Sequence, residues 1–231
     1  MSDAVRLPLE ELGRVIGEPA RLRILHELFG GTPLPAGALA ARLHLAPSTV
    51  SAHLARLHDA GLISIEQRGR TRLATLADAA VAEAVESLLL LAGEAPVNSL
   101  TGYDRRAAMR EARSCYDHLA GRAGVFIARL ALDRGWIAHS AGVWRLPHDE
   151  DITGIGNGLG LTLTWDDSKR PAVRPCADWT EREPHIAGRL GHSILGAMID
   201  DGWLRRRCDD RALTITPRGR ERLAALGHSG L

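Results

Sequence analysis

Two cysteine–histidine pairs are the residues of this chain best equipped for chemistry. Cys115-Tyr116-Asp117-His118 and the stretch from Cys176 through Asp178, Trp179 and Glu183 to His185 each bring one thiol, at least one carboxylate and one imidazole to the start of a glycine-containing helix. Two thiolates and two imidazoles can hold zinc or another thiophilic metal tetrahedrally, which makes Cys115, His118, Cys176 and His185 candidate ligands. A helix N-terminus also lowers a thiol pKa and favours redox reactivity or anion binding. The spacings, Cys-x2-His and Cys-x8-His, match no compact finger. Buried structural cysteines with helix-capping histidines therefore stand as an alternative. A third reading is a small organic effector held between the two stretches, with Tyr116, Trp136, Trp179 and Trp203 as its apolar walls. Cys208, in the polar turn 205–210, reads as incidental.

A second constellation lies between Leu34 and Leu73. Leu39, Ala40 and Leu43 recur at helical period, His44-Leu45-Ala46 makes a turn, and Pro47 suits the first turn of a further helix, where Ser48 and Thr49 can satisfy free donors. That helix, about Pro47 to Asp59, buries Val50, Leu54 and Leu57 on one face. The other face presents Ser48, Thr49, Ser51, His53 and Arg56, hydrogen-bonding side chains that suit base edges and phosphates in a major groove, with Pro47 and Ala52 beside them as further expected contacts. Gly61 closes the helix. Leu62 to Ile65 alternates as a strand, 67–70 turns, and Thr71 to Ala74 returns. Arg68, Arg70 and Arg72 crowd the hairpin tip, placed for phosphate or minor-groove contact. A helix-turn-helix followed by a basic hairpin is a device for reading double-stranded DNA.

These segments carry a family resemblance. Gly17-Glu18-Pro19-Ala20-Arg21-Leu22-Arg23-Ile24-Leu25, Ser48-Thr49-Val50-Ser51-Ala52-His53-Leu54 and Ala60-Gly61-Leu62-Ile63 resemble the winged-helix domain of the ArsR/SmtB family of bacterial repressors over residues of about 10 to 92. The resemblance implies a homodimer whose interface is built from the first helix and the helix after the wing, about Asp78 to Leu91. It further implies an effector that alters affinity for an imperfectly palindromic operator. It breaks at the family's usual metal positions. The helix before the turn has no Cys-x-Cys in Ala38 to Arg42, and the helix after the wing offers Glu83 and Glu86 but no histidine, so neither usual site is expected to hold metal.

The rest of the chain agrees with a regulator of two parts. Its 231 residues suffice for two cores. With 29 basic against 28 acidic side chains the whole is nearly neutral, so a DNA-binding surface must be local. It is: 34–73 holds five arginines and two acids. Lys169 is the only lysine, a bias that suggests a genome rich in G and C. No apolar run reaches the length of about 20 residues that spans a bilayer, and the amino terminus lacks a basic-then-apolar secretory pattern, so a cytoplasmic protein without membrane contact is expected. Three cysteines do not make a disulfide framework. The glycines of Gly154 to Gly160 lack the Lys-Ser/Thr of a phosphate loop and read as a connector, with Leu161 to Trp165 as a strand after it. Neither a Gly-x-Ser-x-Gly elbow nor a His-Glu-x-x-His pair is present, and no enzyme is expected. A DNA-bound scaffold whose distal domain binds another protein is a fourth reading of the second part.

The expected organisation is a DNA-binding and dimerisation domain over 1–95, a turn-rich junction at 93–99, and a regulatory domain over 100–231. The second domain matches itself. His118 to Ile137 aligns with His185 to Leu204 at a constant offset of 67, with identities at His118/His185, Gly121/Gly188, Arg122/Arg189, Gly124/Gly191, Asp133/Asp200 and Trp136/Trp203 among others. Two winged-helix-like repeats, about 111–147 and 176–227, are expected, their glycine-lined helices crossing closely at a pseudo-twofold axis. The fold class is mainly α with small β-hairpins, α+β.

Overall fold

The structure is a computed structural model that describes residues 7–92, 100–147, 152–207 and 210–228. The expected junction at 93–99 and Cys208 lie outside the described residues. The chain divides into two compact units, the first running to Val85 and the second starting at Glu86.

The first unit contains α1 (Leu9–Ile16), α2 (Pro19–Leu28), β1 (Leu34–Pro35), α3 (Ala36–Leu43), α4 (Pro47–Asp59), β2 (Ile63–Arg68) and β3 (Thr71–Leu76). Helix α5 (Ala79–Leu91) begins in it. Ile24, Leu28, Leu39, Val50 and Leu57 are fully buried and make the core on which α2, α3 and α4 meet. His44 joins α3 to α4 in the left-handed conformation, and Pro47 opens α4 without a side-chain cap at Ala46, so Ser48 and Thr49 do not serve as its cap. Strands pair in the order β1-β3-β2, with Arg68 opposite Thr71 across the hairpin tip. This is the winged helix-turn-helix expected from the sequence.

The second unit contains α6 (Leu100–Glu111), β4 (Arg113–Cys115), β5 (His118–Ala120), α7 (Gly121–Asp133), β6 (Ala138–Ser140), β7 (Val143–Arg145) and α8 (Thr153–Leu159). It continues with β8 (Arg174–Ala177), β9 (Pro184–Ala187), α9 (Gly188–Asp200), β10 (Leu204–Arg206), β11 (Leu213–Ile215) and α10 (Pro217–Ala225). Each of the self-matching segments is thus a hairpin, a four-turn helix and a second hairpin. The sequence reading had only the helix and the hairpin after it. The preceding hairpins have strands no shorter than those of the following ones, but no Asp-x-Gly close and aromatic-led strand marks them in the sequence.

Two local expectations are corrected. The glycine-rich stretch forms the short helix α8, because Ile155 and Leu159, one turn apart, are both buried in the core and outweigh the poor helix propensity around them. Leu161 to Trp165 alternates in burial but joins no strand; the Thr164 amide donates instead to Ser193 Oγ at 3.0 Å.

Helix α7 packs on β9 and α9 on β5, so each helix leans on the other segment's hairpin. Glycine makes this approach feasible. A Cβ at Gly124 would stand 2.5 Å from the Leu119 carbonyl oxygen and 3.5 Å from His185 Cβ, and one at Gly191 would stand 2.3 Å from the Ile186 oxygen and 3.0 Å from His118 Cβ. Gly191→Ala is therefore expected to cost about 1–3 kcal/mol in a denaturant titration. Gly196→Ala, in the same helix with open space at the added methyl, is expected to cost nothing. Equal effects would contradict the close approach.

Candidate functional site

On the first unit, α4 turns one face outward. Pro47, Ser48, Thr49, Ser51, Ala52 and Arg56 are exposed and His53 is half-buried. Ser51 Oγ donates to the Pro47 carbonyl at 2.9 Å, which leaves its lone pairs outward. In the wing, Arg68, Arg70 and Arg72 are exposed. Arg68 Nε donates to Glu66 Oε1 at 3.0 Å and holds that carboxyl below its usual pKa, whereas Arg56, Arg70 and Arg72 have no ion-pair partner among the described residues.

In the second unit the two cysteine–histidine pairs converge. Their different spacings are irrelevant in three dimensions, because Cys115 lies directly across β4-β5 from His118, and Cys176 directly across β8-β9 from His185. Opposite residues of an antiparallel pair have Cβ atoms about 5 Å apart whatever the length of the loop between them. Tyr116, at φ 58°, makes the two-residue turn of the first hairpin with Asp117. Strand β5 packs beside β9, so the pairs face each other. One donor atom from each of the four residues lies within 4.8 Å of all the others, and all four side chains are buried. The sulfurs are 3.8 Å apart and the imidazole centroids 5.0 Å.

A carboxylate stands beside each ring. Asp117 Oδ1 stands 3.2 Å from His118 Nδ1, and Asp178 Oδ2 stands 3.3 Å from His185 Nδ1. Buried Nε2 of His118 and buried Nε2 of His185 have no hydrogen-bond partner among the described residues. At His118 the ring is hydrogen-bonded to Asp117 on its other side, the arrangement that metal-binding histidines adopt, whereas His185 Nδ1 stands within ion-pair distance of Asp178 without a hydrogen bond. The tetrahedral edge for two sulfurs bonded to zinc at about 2.3 Å is about 3.8 Å, which the thiol pair already matches. The donor set fits a tetrahedral, thiophilic ion.

The charges agree with this. The Cys115 thiol beside it, assisted by His118 and His185, outweighs burial and pulls the Cys176 thiol down to about 2, while burial and the neighbouring sulfur push Cys115 well up. Burial alone would lower His185, but Asp178 and Cys176 raise it to about 9. Burial would likewise raise Asp117 and Asp178. His118, His192 and Arg170 hold Asp117 below the usual carboxylate range, and His185 with Arg113 does so for Asp178.

Arg113 is not singled out by the sequence, and Asp178 and Glu86, named there only as nearby carboxylates, have structural roles the sequence does not show. Asp178, fully buried, accepts from the Gly121 amide at 2.7 Å, from Thr180 Oγ1 at 2.7 Å and from Arg113 at 2.9 Å. Arg113, also fully buried, bonds Thr180 Oγ1 and lies over the Trp179 ring at 4.9 Å. Glu86 Oε2 accepts from Cys115 Sγ at 3.5 Å, and burial raises its pKa against the opposing pull of Arg113. The Asp178-x-Thr180 turn was the one signal available for any of them. Of the four aromatic residues expected to wall an organic effector, Trp203 is in the core, Trp136 lies on Gly158, Trp179 lies under Arg113 and Tyr116 is in the turn of the first hairpin. A groove of about 800 Å³ in this unit is instead lined by Trp165, Asp166, His192 and Ser193, among others.

The fold and the exposed face of α4 define a transcription regulator with a winged helix-turn-helix DNA-binding domain. Residues 18–64 match the family described as bacterial regulatory protein, arsR family. The chain is 36% identical over 217 residues to the uncharacterized HTH-type transcriptional regulator YdfF of Bacillus subtilis, covering 92% of this chain and 93% of that protein. It is 42% identical over 81 residues to the HTH-type transcriptional regulator CmtR of Mycobacterium tuberculosis, which covers 35% of this chain and 68% of that one. The NMR structure described as the cadmium metal-sensor CMTR of that organism matches 40% of this chain and 99% of its own at 35% identity, with a TM-score of 0.32. The chain belongs to the ArsR family. Its relatives are transcription regulators, and it is a regulator and not an enzyme. No helix among the described residues is long and apolar enough to cross a membrane.

Asp178→Ala would leave Arg113 and His185 without their buried counter-charge. A loss of about 3–5 kcal/mol in unfolding free energy is expected in a denaturant titration; a loss under 1 kcal/mol would contradict the hub assigned to Asp178.

Proposed function

We propose that this protein is a homodimeric repressor whose affinity for an imperfectly palindromic operator is set by a thiophilic metal ion, zinc being the type case, bound by Cys115, His118, Cys176 and His185. The observation that carries the metal reading is the convergence of four buried donor atoms, two of them imidazole nitrogens without a hydrogen-bond partner. A similar protein bears the description of a cadmium metal-sensor, which agrees in kind. The ligands proposed here stand in the second unit and not at the family positions that lack cysteine and histidine. One second reading has its own observation: sulfurs 3.8 Å apart are near enough for oxidation to a disulfide, which would make the pair a redox switch.

Two recognition helices of a dimer would enter successive major grooves and the wings would touch flanking backbone. The DNA contacts proposed are Pro47, Ser48, Thr49, Ser51, Ala52, His53 and Arg56 from α4, with Arg68, Arg70 and Arg72 from the wing. Dimerisation is supported by the exposed leucines of α5, Leu88, Leu90 and Leu91, and by Leu9 of α1, apolar side chains that a partner would cover.

Protein purified without an affinity tag or chelator is expected to carry one metal per chain, lost in both Cys115→Ser and Cys176→Ser. Metal-free protein with every cysteine titratable as a thiol would overturn the metal reading. Arg56→Ala and Arg70→Ala are each expected to weaken binding to an operator selected from random duplex DNA by about 1–3 kcal/mol, with the dimer intact by sedimentation. Unchanged affinity in both would remove the DNA-contact assignment.

A further inference from the structure

We infer that Glu86 is the residue through which occupancy of the cysteine–histidine site reaches helix α5; the inference rests on the metal reading above. Glu86 is the first residue of the second unit and sits on a helix that begins in the first, so a change at its side chain acts on the element that joins them in sequence. It is 3% exposed, and its carboxylate has two neighbours of opposite character. Oε2 accepts from Cys115 Sγ at 3.5 Å, and Oε1, without a hydrogen-bond partner, lies 3.8 Å from Arg113 NH2.

With Glu86 ionised, the bond to Cys115 exists only while the sulfur carries a proton. Coordination exchanges that proton for the metal: the S–H bond breaks, the metal–sulfur bond forms and the proton leaves as H⁺. The sulfur then has only lone pairs to offer a carboxylate that has only lone pairs itself. Glu86 keeps Arg113, but Arg113 is already committed to Asp178 at 2.9 Å and to Thr180. The other charged groups acting on Glu86 are His185, Cys176 and Arg211, all of the same unit. The α5 position described here therefore belongs to protonated Cys115, and a bound metal works against it. An uncharged amide would not discriminate. Glutamine accepts from a thiol through its oxygen and donates to a thiolate through its nitrogen.

The test uses full-length protein, zinc alone as the ligand and the selected operator. Wild type is expected to show at least a fivefold difference in operator affinity with and without zinc. Glu86→Gln should bind zinc within about threefold of wild type yet bring the two DNA affinities together. A Glu86→Gln protein that binds zinc and keeps the wild-type ratio overturns the inference and leaves the metal reading standing. Wild type that binds no zinc overturns both. Should Glu86→Gln fold poorly, hydrogen exchange on wild type decides: amides of α5 following Glu86 should exchange faster with zinc bound, and identical rates would overturn the role of Glu86.

Discussion

The second unit depends on cross-strand pairing. A residue of an antiparallel hairpin meets its opposite neighbour at a distance set by the ladder and not by the loop. Cys115 and His118 are therefore brought together across a two-residue turn in the same way as Cys176 and His185 across one further strand pair and a loop of six. Placing the two hairpins against each other turns two adjacent pairs into a buried cluster of four candidate donor side chains. Everything else around them serves that juxtaposition: the helices that follow each hairpin are stripped to glycine where the opposite histidine stands, and the core beneath is closed by Trp203, Leu190 and Met198.

The two halves of the cage differ in their supports. Asp178 is buried, held by Arg113, Thr180 and the Gly121 amide, and stands within ion-pair distance of the His185 ring from within the fold. Asp117 is partly exposed and shares its carboxylate among His118, Arg170 and His192, the last of which lines the open groove. One ligand is held by the core and the other by surface side chains. The same asymmetry recurs in the sulfurs, since only Cys115 touches α5 through Glu86.

Much of the first unit was legible because its signals are local. Val50, Leu54 and Leu57 at helical spacing, Pro47 at the start of α4 and glycine at the tip of the wing each specify a short stretch of backbone, and all three operate as read. In the second unit the self-match marks the helices and their glycines, and the two cysteine–histidine pairs stand out by residue type. Their convergence was not legible. No Asp-x-Gly close and aromatic-led strand marks the hairpins that align them, and the contact between hairpins is made by residues sixty or more positions apart. Glu86 and Arg113 carry no local mark, since a glutamate on one helix and an arginine after another look like solvated charges until the fold buries them. The α8 segment failed for a related reason: two buried apolar side chains outweighed glycines that on propensity alone deny a helix.

The most direct test is X-ray absorption at the metal edge of the zinc-loaded protein. A single cage drawn from both hairpins requires two sulfur scatterers at about 2.3 Å and two imidazole nitrogens at about 2.0–2.1 Å. A shell of nitrogen and oxygen alone, or one richer than two sulfurs per metal, would contradict it and place the ion elsewhere or between chains.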